Sequence, residues 1–454
     1  MKKNDLREIT ITGMTAEGSG VGHIEGMVVF VPASAVGDEL EVKILKVNKN
    51  YAFGKIEKIL NPSSNRTAID CSAFLQCGGC VFRHISYEEE KKVKEQRVKD
   101  AMKRIGGLEF LNVDPIIGAE NPDRYRNKAQ YPIGSDRQGI PIAGFFAKHS
   151  HRIVNCHDCL LQPELFARAA SVLLKWMRQY QIKPYDEQSG EGLIRNLYVR
   201  QAKKTGEIMV CIVATDHRLP QKKELIERIE AEIPDVRSIV LNQNKEKTNV
   251  VLGKECRVIW GKGYITDELC GLKFRISPKS FYQVNHDQAQ TLYRIALSYA
   301  ELKGNEVLLD LYCGTGTIGL TMAHSVKKVI GIEVVKEAVE DAKKNARENG
   351  IDHAEFICAD AAKGSAILKK RGVVPDIVLL DPPRKGCDDS LIDTVVSMEP
   401  KRIVYVSCDP ATLARDLKLF YQKEYIPQKL TPVDLFPRTA HVESVCLLTK
   451  RKIS

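Results

Sequence analysis

The sequence predicts a multidomain chain: a small OB-like β-barrel over residues 1–60, a central α+β domain over 61–275, and a doubly wound, Rossmann-like α/β domain over 276–454. Three observations carry that expectation. Short β-prone runs broken by glycines fill the start of the chain. A cysteine-rich segment and mixed strands and helices follow, and from Asn305 onward buried strands and helices alternate regularly. At one domain per ~150 residues, a chain of 454 residues suggests about three units, each able to bury its own core.

The bulk composition narrows the function class. With 43% hydrophobic and 28% charged residues the chain reads as soluble and globular. No window approaches the ~18 uninterrupted apolar residues of a membrane helix, and Met-Lys-Lys-Asn-Asp-Leu-Arg lacks the apolar core of an export signal. A cytoplasmic location with no membrane partner is expected, and no obligate protein partner is evident, so the chain is expected to be a monomer. The excess of 68 Lys+Arg over 58 Asp+Glu, a net charge of +10, favours a polyanionic partner, most simply nucleic acid. Thirteen cysteines in a reducing compartment are metal ligands, catalytic thiols or core fillers.

In the first segment, strands are expected at Ile9 to Ile11, Val28 to Val31, Leu40 to Val47 and Ala52 to Ile59, punctuated by Gly18-Ser19-Gly20, Gly22-His23, Glu25-Gly26 and Gly37-Asp38. Lys43, Lys46, Lys49, Lys55 and Lys58 cluster around Tyr51 and Phe53, a mixture that suits a sugar-phosphate backbone or, equally, a solvated face. This segment resembles the TRAM domain, an RNA-binding barrel.

After the linker 61–65, Cys71-x5-Cys77-Gly-Gly-Cys80 places three sulfurs where the glycines let the backbone wrap one metal centre. A fourth ligand is expected from Cys156-His157-Asp158-Cys159, and thiolate ligation suits Zn(II) or an iron-sulfur cluster alike. Ser86 with Glu89 forms a capping box opening a helix, with Val93, Val98, Met102 and Ile105 on its apolar side and Gly106-Gly107 at its end. This helix, 86–107, is expected to pack on the catalytic domain. Arg124 to Tyr131 mixes three cations with two tyrosines, which suits phosphate neutralisation and base stacking or an amphipathic strand. Helices are expected at Pro163 to Tyr180 and Gln221 to Glu232, and strands at Gly192 to Gln201, Glu207 to Val213 and Ser238 to Asn242.

In the last segment, strands end at Asp310, Glu333, Asp360, Asp381 and Cys408, which outlines a site on one sheet edge. Gly314-x-Gly316-x-x-Gly319 after a strand, with Glu333 about 20 residues beyond, fits both NAD and S-adenosylmethionine enzymes. Asp381-Pro-Pro-Arg384 makes a rigid substrate turn, with arginine where exocyclic-amine methyltransferases usually carry an aromatic. The strand Ile403 to Val406 stops at Ser407-Cys408-Asp409-Pro410, leaving Cys408 at a helix N-terminus whose amide dipoles favour thiolate. A thiolate adding to carbon 6 of a pyrimidine makes carbon 5 nucleophilic, and a general base must then remove the carbon 5 proton. His441 and Glu443 are the candidates, and Glu443 is preferred because a carboxylate in a water-poor site can have its pKa raised enough to cycle a proton.

These motifs, together with Phe281-Tyr-Gln-Val-Asn285 and Asp310-Leu-Tyr-Cys-Gly-Thr-Gly-Thr317, closely resemble the RNA uracil-C5-methyltransferase family, in particular its bacterial branch acting on 23S ribosomal RNA. The resemblance implies that Gln283, Tyr312, Gly314, Gly316, Glu333 and Asp381 contact S-adenosyl-L-methionine, with Asp360 near the adenine. It implies Cys408 as nucleophile and Glu443 as base. It further implies a [4Fe-4S] cluster on Cys71, Cys77, Cys80 and Cys159, the last preferred to Cys156 although Leu160 stands where the family commonly has proline. Asp409 replaces a frequent asparagine, a change expected to be tolerated. Transfer RNA is the rival substrate. An NAD-linked oxidoreductase would leave the cysteine and glutamate unexplained, and a non-catalytic RNA-binding assembly factor would not need Cys408.

Overall fold

The computed structural model describes residues 1–156 and 158–451. His157, part of the run weighed as a ligand source, and residues 452–454 lie outside the described residues.

Five strands, β1 (Leu6–Met14), β2 (Ser19–Ile24), β3 (Met27–Pro32), β4 (Glu39–Val47) and β5 (Tyr51–Asn61), close a barrel in the order β1-β2-β3-β5-β4. Alternation of Ile9 and Ile11, Val29 and Val31, and Leu40, Val42 and Ile44 turns one face of each strand into the core. Strand β2 is not legible in the sequence, because its glycines read as turn punctuation. They are packing glycines instead: a Cβ on Gly20 would collide with Ser34 Oγ, and one on Gly22 would stand 2.5 Å from the Thr10 carbonyl oxygen.

Helix α1 (Tyr87–Ala101) begins as its capping box dictates, Ser86 Oγ accepting from Glu89 N at 3.3 Å. It runs into one π-helical turn, Met102–Gly106, before Gly107 at φ +66° ends it. Val98, Ala101 and Met102 join the core of the last domain, whereas the π turn carries Ile105 off that face and leaves it 44% exposed.

The central sheet comprises β6 (Lys128–Ser135), β7 (Pro141–Phe146), β8 (Ile153–Asn155), β9 (Ile194–Gln201), β10 (Ile208–Ala214), β11 (Val236–Gln243) and β12 (Glu255–Gly261), ordered β12-β11-β10-β9-β6-β7-β8. Helices α2 (Glu164–Gln179) and α3 (Lys222–Glu232) bury Phe166, Trp176, Leu225 and Ile229 in the same core as this sheet. A hairpin, β13 (Ile265–Leu269) with β14 (Leu272–Ile276), and helix α4 (His286–Ala300) lead to the last sheet.

That sheet is built from β15 (Val307–Leu311), β16 (Lys328–Glu333), β17 (Ala354–Cys358), β18 (Ile377–Leu380), β19 (Arg402–Ser407), β20 (Tyr425–Val433) and β21 (Glu443–Lys450), in the order β17-β16-β15-β18-β19-β21-β20. Helices α5 (Thr317–Thr321), α6 (Lys336–Glu348), α7 (Ala361–Lys370), α8 (Asp389–Ser397) and α9 (Pro410–Gln422) alternate with its strands. The five strands from β15 to β19 pair in parallel, and the β20–β21 hairpin closes the edge antiparallel. Strand order reverses between β15 and β18, which opens a crevice at their carboxyl ends. Among the described residues no helix is long and apolar enough to cross a membrane.

Candidate active site at the sheet edge

The turn after β15 is made from left-handed residues, Tyr312 at φ +66°, Gly314 at +55° and Gly316 at +81°. Glu333, at the end of β16, holds it: one carboxylate oxygen accepts from Gly314 N at 3.1 Å and the other from Val335 N at 2.8 Å. Asp310 is fully buried and accepts from Gly319 N at 3.0 Å. A Cβ on Gly319 would lie 2.5 Å from that same carboxylate oxygen, so the third glycine of the motif exists to let the helix approach the strand. Burial, and then the charges of Asp381 and Glu333, push Asp310 well above the usual carboxylate range. The Gln283 carbonyl accepts from Asn127 Nδ2 at 2.9 Å, which anchors the loop before α4 to the central domain. Asp360 is exposed and caps α7, accepting from Ala362 N at 3.1 Å.

On the other side of the crevice β19 delivers Cys408, β18 delivers Asp381, and the loop joining β20 to β21 delivers His441 and leads into Glu443. Their mutual influence shows in their acidities. Burial raises the Cys408 thiol to about 11, with Glu443 and Asp381 adding to the rise and Arg384 opposing it. Burial, then Asp381, lifts Glu443 to about 8 against the pull of Arg384. Burial alone takes Asp381 to about 7. The sequence expectation that a helix N-terminus would hold Cys408 as thiolate does not survive. The α9 amides are capped by Asp409, whose Oδ1 accepts from Ala411 N and Thr412 N at 2.9 and 3.0 Å, so they face a carboxylate and not the sulfur. Arg384 Nη2 stands 3.2 Å from His441 Nε2, and burial with the Arg384 charge pushes His441 down to about 4. His441 is therefore neutral at physiological pH. It lies before β21, so it does not share a strand face with Glu443 and Val445.

The turn after Asp381 is fixed to α9, the helix that follows Cys408. Buried Asp416 of α9 accepts from Cys387 N at 2.7 Å and from Tyr405 OH at 2.6 Å, and a Cβ on Gly386 would collide with the same carboxylate. Asp416 thus ties the end of the Asp381-Pro-Pro-Arg turn to β19 and α9, which flank Cys408.

The cysteines converge too. Cys77, Cys80, Cys156 and Cys159 raise or lower one another's acidity, and Cys71 acts on Cys77 and Cys156. Burial takes Cys80 to about 12, with Arg83 opposing, and raises Cys77. A hydrogen bond with Cys156 and burial lift Cys159 far above the thiol range, while Cys156 is lowered by the same bond. Gly79 N donates to Cys77 Sγ at 3.3 Å, and a Cβ there would press on that sulfur at 3.4 Å. Among the described residues no three such side chains close on a common metal point. Cys71, Cys77, Cys80, Cys156 and Cys159 are all half-buried, and an all-sulfur donor set of this kind is chemically suited to a soft metal centre.

Arg124 to Tyr131 is an internal strut, not a base-stacking surface. Arg124 pairs with Asp158 at 2.5 Å and donates to the carbonyls of Cys159 and Gln162, Tyr125 OH donates to the Pro437 carbonyl at 2.9 Å, and buried Tyr131 donates to Gln162 Oε1 at 2.6 Å. The segment ties the cysteine loop to the loop before Glu443. A cavity of about 850 Å³ in the central domain, lined by Phe146, His151, Arg152, Tyr185 and Arg195 among others, includes none of the candidate site residues.

Sequence reasoning missed the charged residues of α1 that reach this site. Lys94 is fully buried and donates to Glu90 Oε1 and Asp434 Oδ1, both at 2.7 Å, and to the Phe436 carbonyl at 3.1 Å. Asp434 also accepts from Tyr87 OH at 2.9 Å. Lys94 and Asp434 are about 340 residues apart in sequence. In a helix whose first half reads Glu-Glu-Glu-Lys-Lys-Val-Lys-Glu, nothing local sets Lys94 apart from the solvated lysines beside it.

Comparison with known proteins identifies the family. A family model described as tRNA (uracil-5-)-methyltransferase matches residues 87–451, and a TRAM domain model matches residues 2–56. An uncharacterised RNA methyltransferase of Clostridium tetani is 46% identical over 449 residues, covering 99% of this chain and 97% of that protein. One from Halalkalibacterium halodurans is 44% identical over 448 residues, covering 99% of this chain and 98% of that protein. The crystal structure of Pyrococcus abyssi tRNA (uracil-54, C5)-methyltransferase in complex with S-adenosyl-L-homocysteine superposes with a TM-score of 0.77 at 28% identity, covering 98% of this chain and 100% of that one.

Proposed function

The chain belongs to the tRNA (uracil-5-)-methyltransferase family and is an RNA methyltransferase, and from that premise we propose that it methylates carbon 5 of uridine in 23S ribosomal RNA through a covalent bond from Cys408 to carbon 6. The observation that supports this reading best is the meeting of buried Glu443 with half-buried Cys408 and Asp381 and the exposed Arg384 in one cluster. S-adenosyl-L-methionine would supply the methyl group as a sulfonium, at the site formed by Gln283, Tyr312, Gly314, Gly316, Glu333, Asp360 and Asp381. Cys408 Sγ bonds to carbon 6, and the carbon 5–carbon 6 electron pair becomes the nucleophile that takes the methyl group. Glu443 then accepts the carbon 5 proton, the double bond reforms and the thiolate leaves. Arg384 and a bound sulfonium bring positive charge to a cluster whose acids are all raised, which favours the thiolate when substrate is present.

Cys71, Cys77, Cys80 and Cys159 would hold a [4Fe-4S] cluster, which would neutralise their thiolates and tie 71–80 to the 159 loop. On the barrel, Phe30, Tyr51 and Phe53 place their ring centroids 5.6–5.8 Å apart, with Tyr51 and Phe53 exposed and Lys46 opposite Phe53, a surface suited to RNA. Cys408→Ala is expected to bind RNA and cofactor and transfer no methyl group, and unchanged turnover would sink the mechanism. Glu443→Gln is expected to leave a protein–RNA adduct on a denaturing gel.

Transfer RNA is the second reading, favoured by the likeness to the Pyrococcus abyssi tRNA enzyme. Mapping 5-methyluridine in 23S and transfer RNA from a deletion strain separates the two. Loss from 23S RNA alone is expected, and loss from transfer RNA alone would transfer the assignment.

A further inference from the structure

Nucleophile and base come from different parts of the last sheet, and one side chain from α1 reaches the flank of each. The Arg97 guanidinium donates to the Ala440 carbonyl at 2.6 Å and stands 3.8 Å from Asp409 Oδ2. Asp409 directly follows Cys408, and Ala440 opens the run His441-Val442-Glu443. Arg97 is carried on a fixed support. Lys94 and Glu90 bind the same loop through Asp434, Phe436 and Arg438, whose N donates to Glu90 Oε1 at 2.6 Å, while Val98 and Met102 share a core with Leu413 of α9.

We propose that Arg97 is a positioning residue of the methyl-transfer site, setting the distance between the Cys408 sulfur and the Glu443 carboxylate by holding the Cys408–Asp409 corner and the Ala440–Glu443 run on one guanidinium. The proposal rests on the reading of Cys408 as nucleophile and Glu443 as base. Its consequence falls on the last chemical step. The carbon 5–hydrogen bond breaks, the proton passes to the Glu443 carboxylate, the freed electron pair forms the carbon 5–carbon 6 double bond, and the carbon 6–sulfur bond breaks to return the Cys408 thiolate. The ring is then tethered to Cys408, so a base displaced by ~1 Å fails at proton removal while binding is unaffected. A planar fork spans the two anchors, whereas a lysine ammonium serves one at a time.

The test uses the full-length chain, methyl transfer from S-adenosyl-L-methionine into ribosomal RNA of a strain lacking the gene, and denaturing gels run during turnover. Arg97→Met is expected to lower kcat about 10- to 100-fold, the scale of one charge-assisted hydrogen bond. KM for RNA and for cofactor should stay within about two-fold, and adduct should accumulate. Arg97→Lys should recover part of the rate. Asp409→Asn, which still caps α9, should lose roughly three-fold and also accumulate adduct. An unchanged kcat in Arg97→Met overturns the proposal, as does a rise in KM for RNA with kcat intact and no adduct. Should Arg97→Met not fold, wild-type kcat without adduct in both Arg97→Lys and Asp409→Asn overturns it equally. Failure of the underlying reading looks different: Glu443→Gln would turn over normally and trap nothing, whatever Arg97 variants do.

Discussion

Glu443 holds its proton to about pH 8 in the folded chain, where an ordinary glutamate loses it near 4.5. Between those values the folded state binds more protons than the unfolded state. Stability therefore falls as pH rises across that window and levels off above it. Glu443→Gln removes the ionisation, so its stability relative to wild type should grow from pH 5 to pH 8.5. The gain should be on the order of 2 kcal/mol, less than the full conversion at about 1.4 kcal/mol per pH unit because Asp381 titrates with it. Paired denaturation curves at the two pH values check this, and a difference that does not grow with pH would contradict the burial of the carboxyl. Turnover of the wild type should rise over the same range, since in the proposed mechanism Cys408 and Glu443 both give up protons. A carboxyl kept protonated by burial costs the folded chain stability, the trade expected of a functional group held ready in a dry site.

At the scale of elements, α1 stabilises the loop before Glu443 through charge in a place that apolar packing would ordinarily fill. Lys94, Glu90 and Asp434 are all fully buried, and burial raises Glu90 to about 7 even with Lys94 beside it. Lys94→Met leaves two buried carboxyl groups facing each other, with the Arg438 guanidinium, 3.7 Å from Glu90 Oε2, as the remaining nearby cation. It should cost about 3–5 kcal/mol, and Lys94→Met with Glu90→Gln should recover part of it. Chemical denaturation of the three proteins reads the coupling directly, and purely additive losses would mean the three groups do not act as a unit. The capping box, the glycine stop and, Ile105 excepted, the apolar side of this helix were readable. Its π turn and its buried lysine were not, because both depend on α9 and on a loop near the other end of the chain.

Across the whole molecule, the cysteine region and the loop before Glu443 are joined by short hydrogen bonds. Val81, next to Cys80, donates its N–H to the Arg438 carbonyl at 2.8 Å, and Tyr125 reaches Pro437 from the segment that holds the Cys159 loop. Anaerobically purified protein should contain iron and sulfide with visible absorption. Serine at Cys77 and Cys80 together should abolish that absorption and lower thermal stability, and stoichiometric zinc without iron in the wild type would contradict the assignment. Since Cys80 and Arg438 are neighbours in space, the loss should also loosen residues 434–441, measurable as faster amide exchange there.

The sequence by itself determined the alternation of strands and helices, the glycine turn against Glu333, the proline-fixed turn at Asp381 and the place of Cys408 at a strand end. Each of these is written in residues a few positions apart, where backbone geometry leaves little choice. Only the tertiary structure decided that β2 is a strand, that Arg124 pairs with Asp158 and Tyr131 is buried, that Asp409 and not Cys408 takes the α9 amides, and that Lys94 and Arg97 reach the loop before Glu443. Those outcomes depend on which distant groups share one buried volume, and burial sets both the charge state of Glu443 and the partners of a lysine.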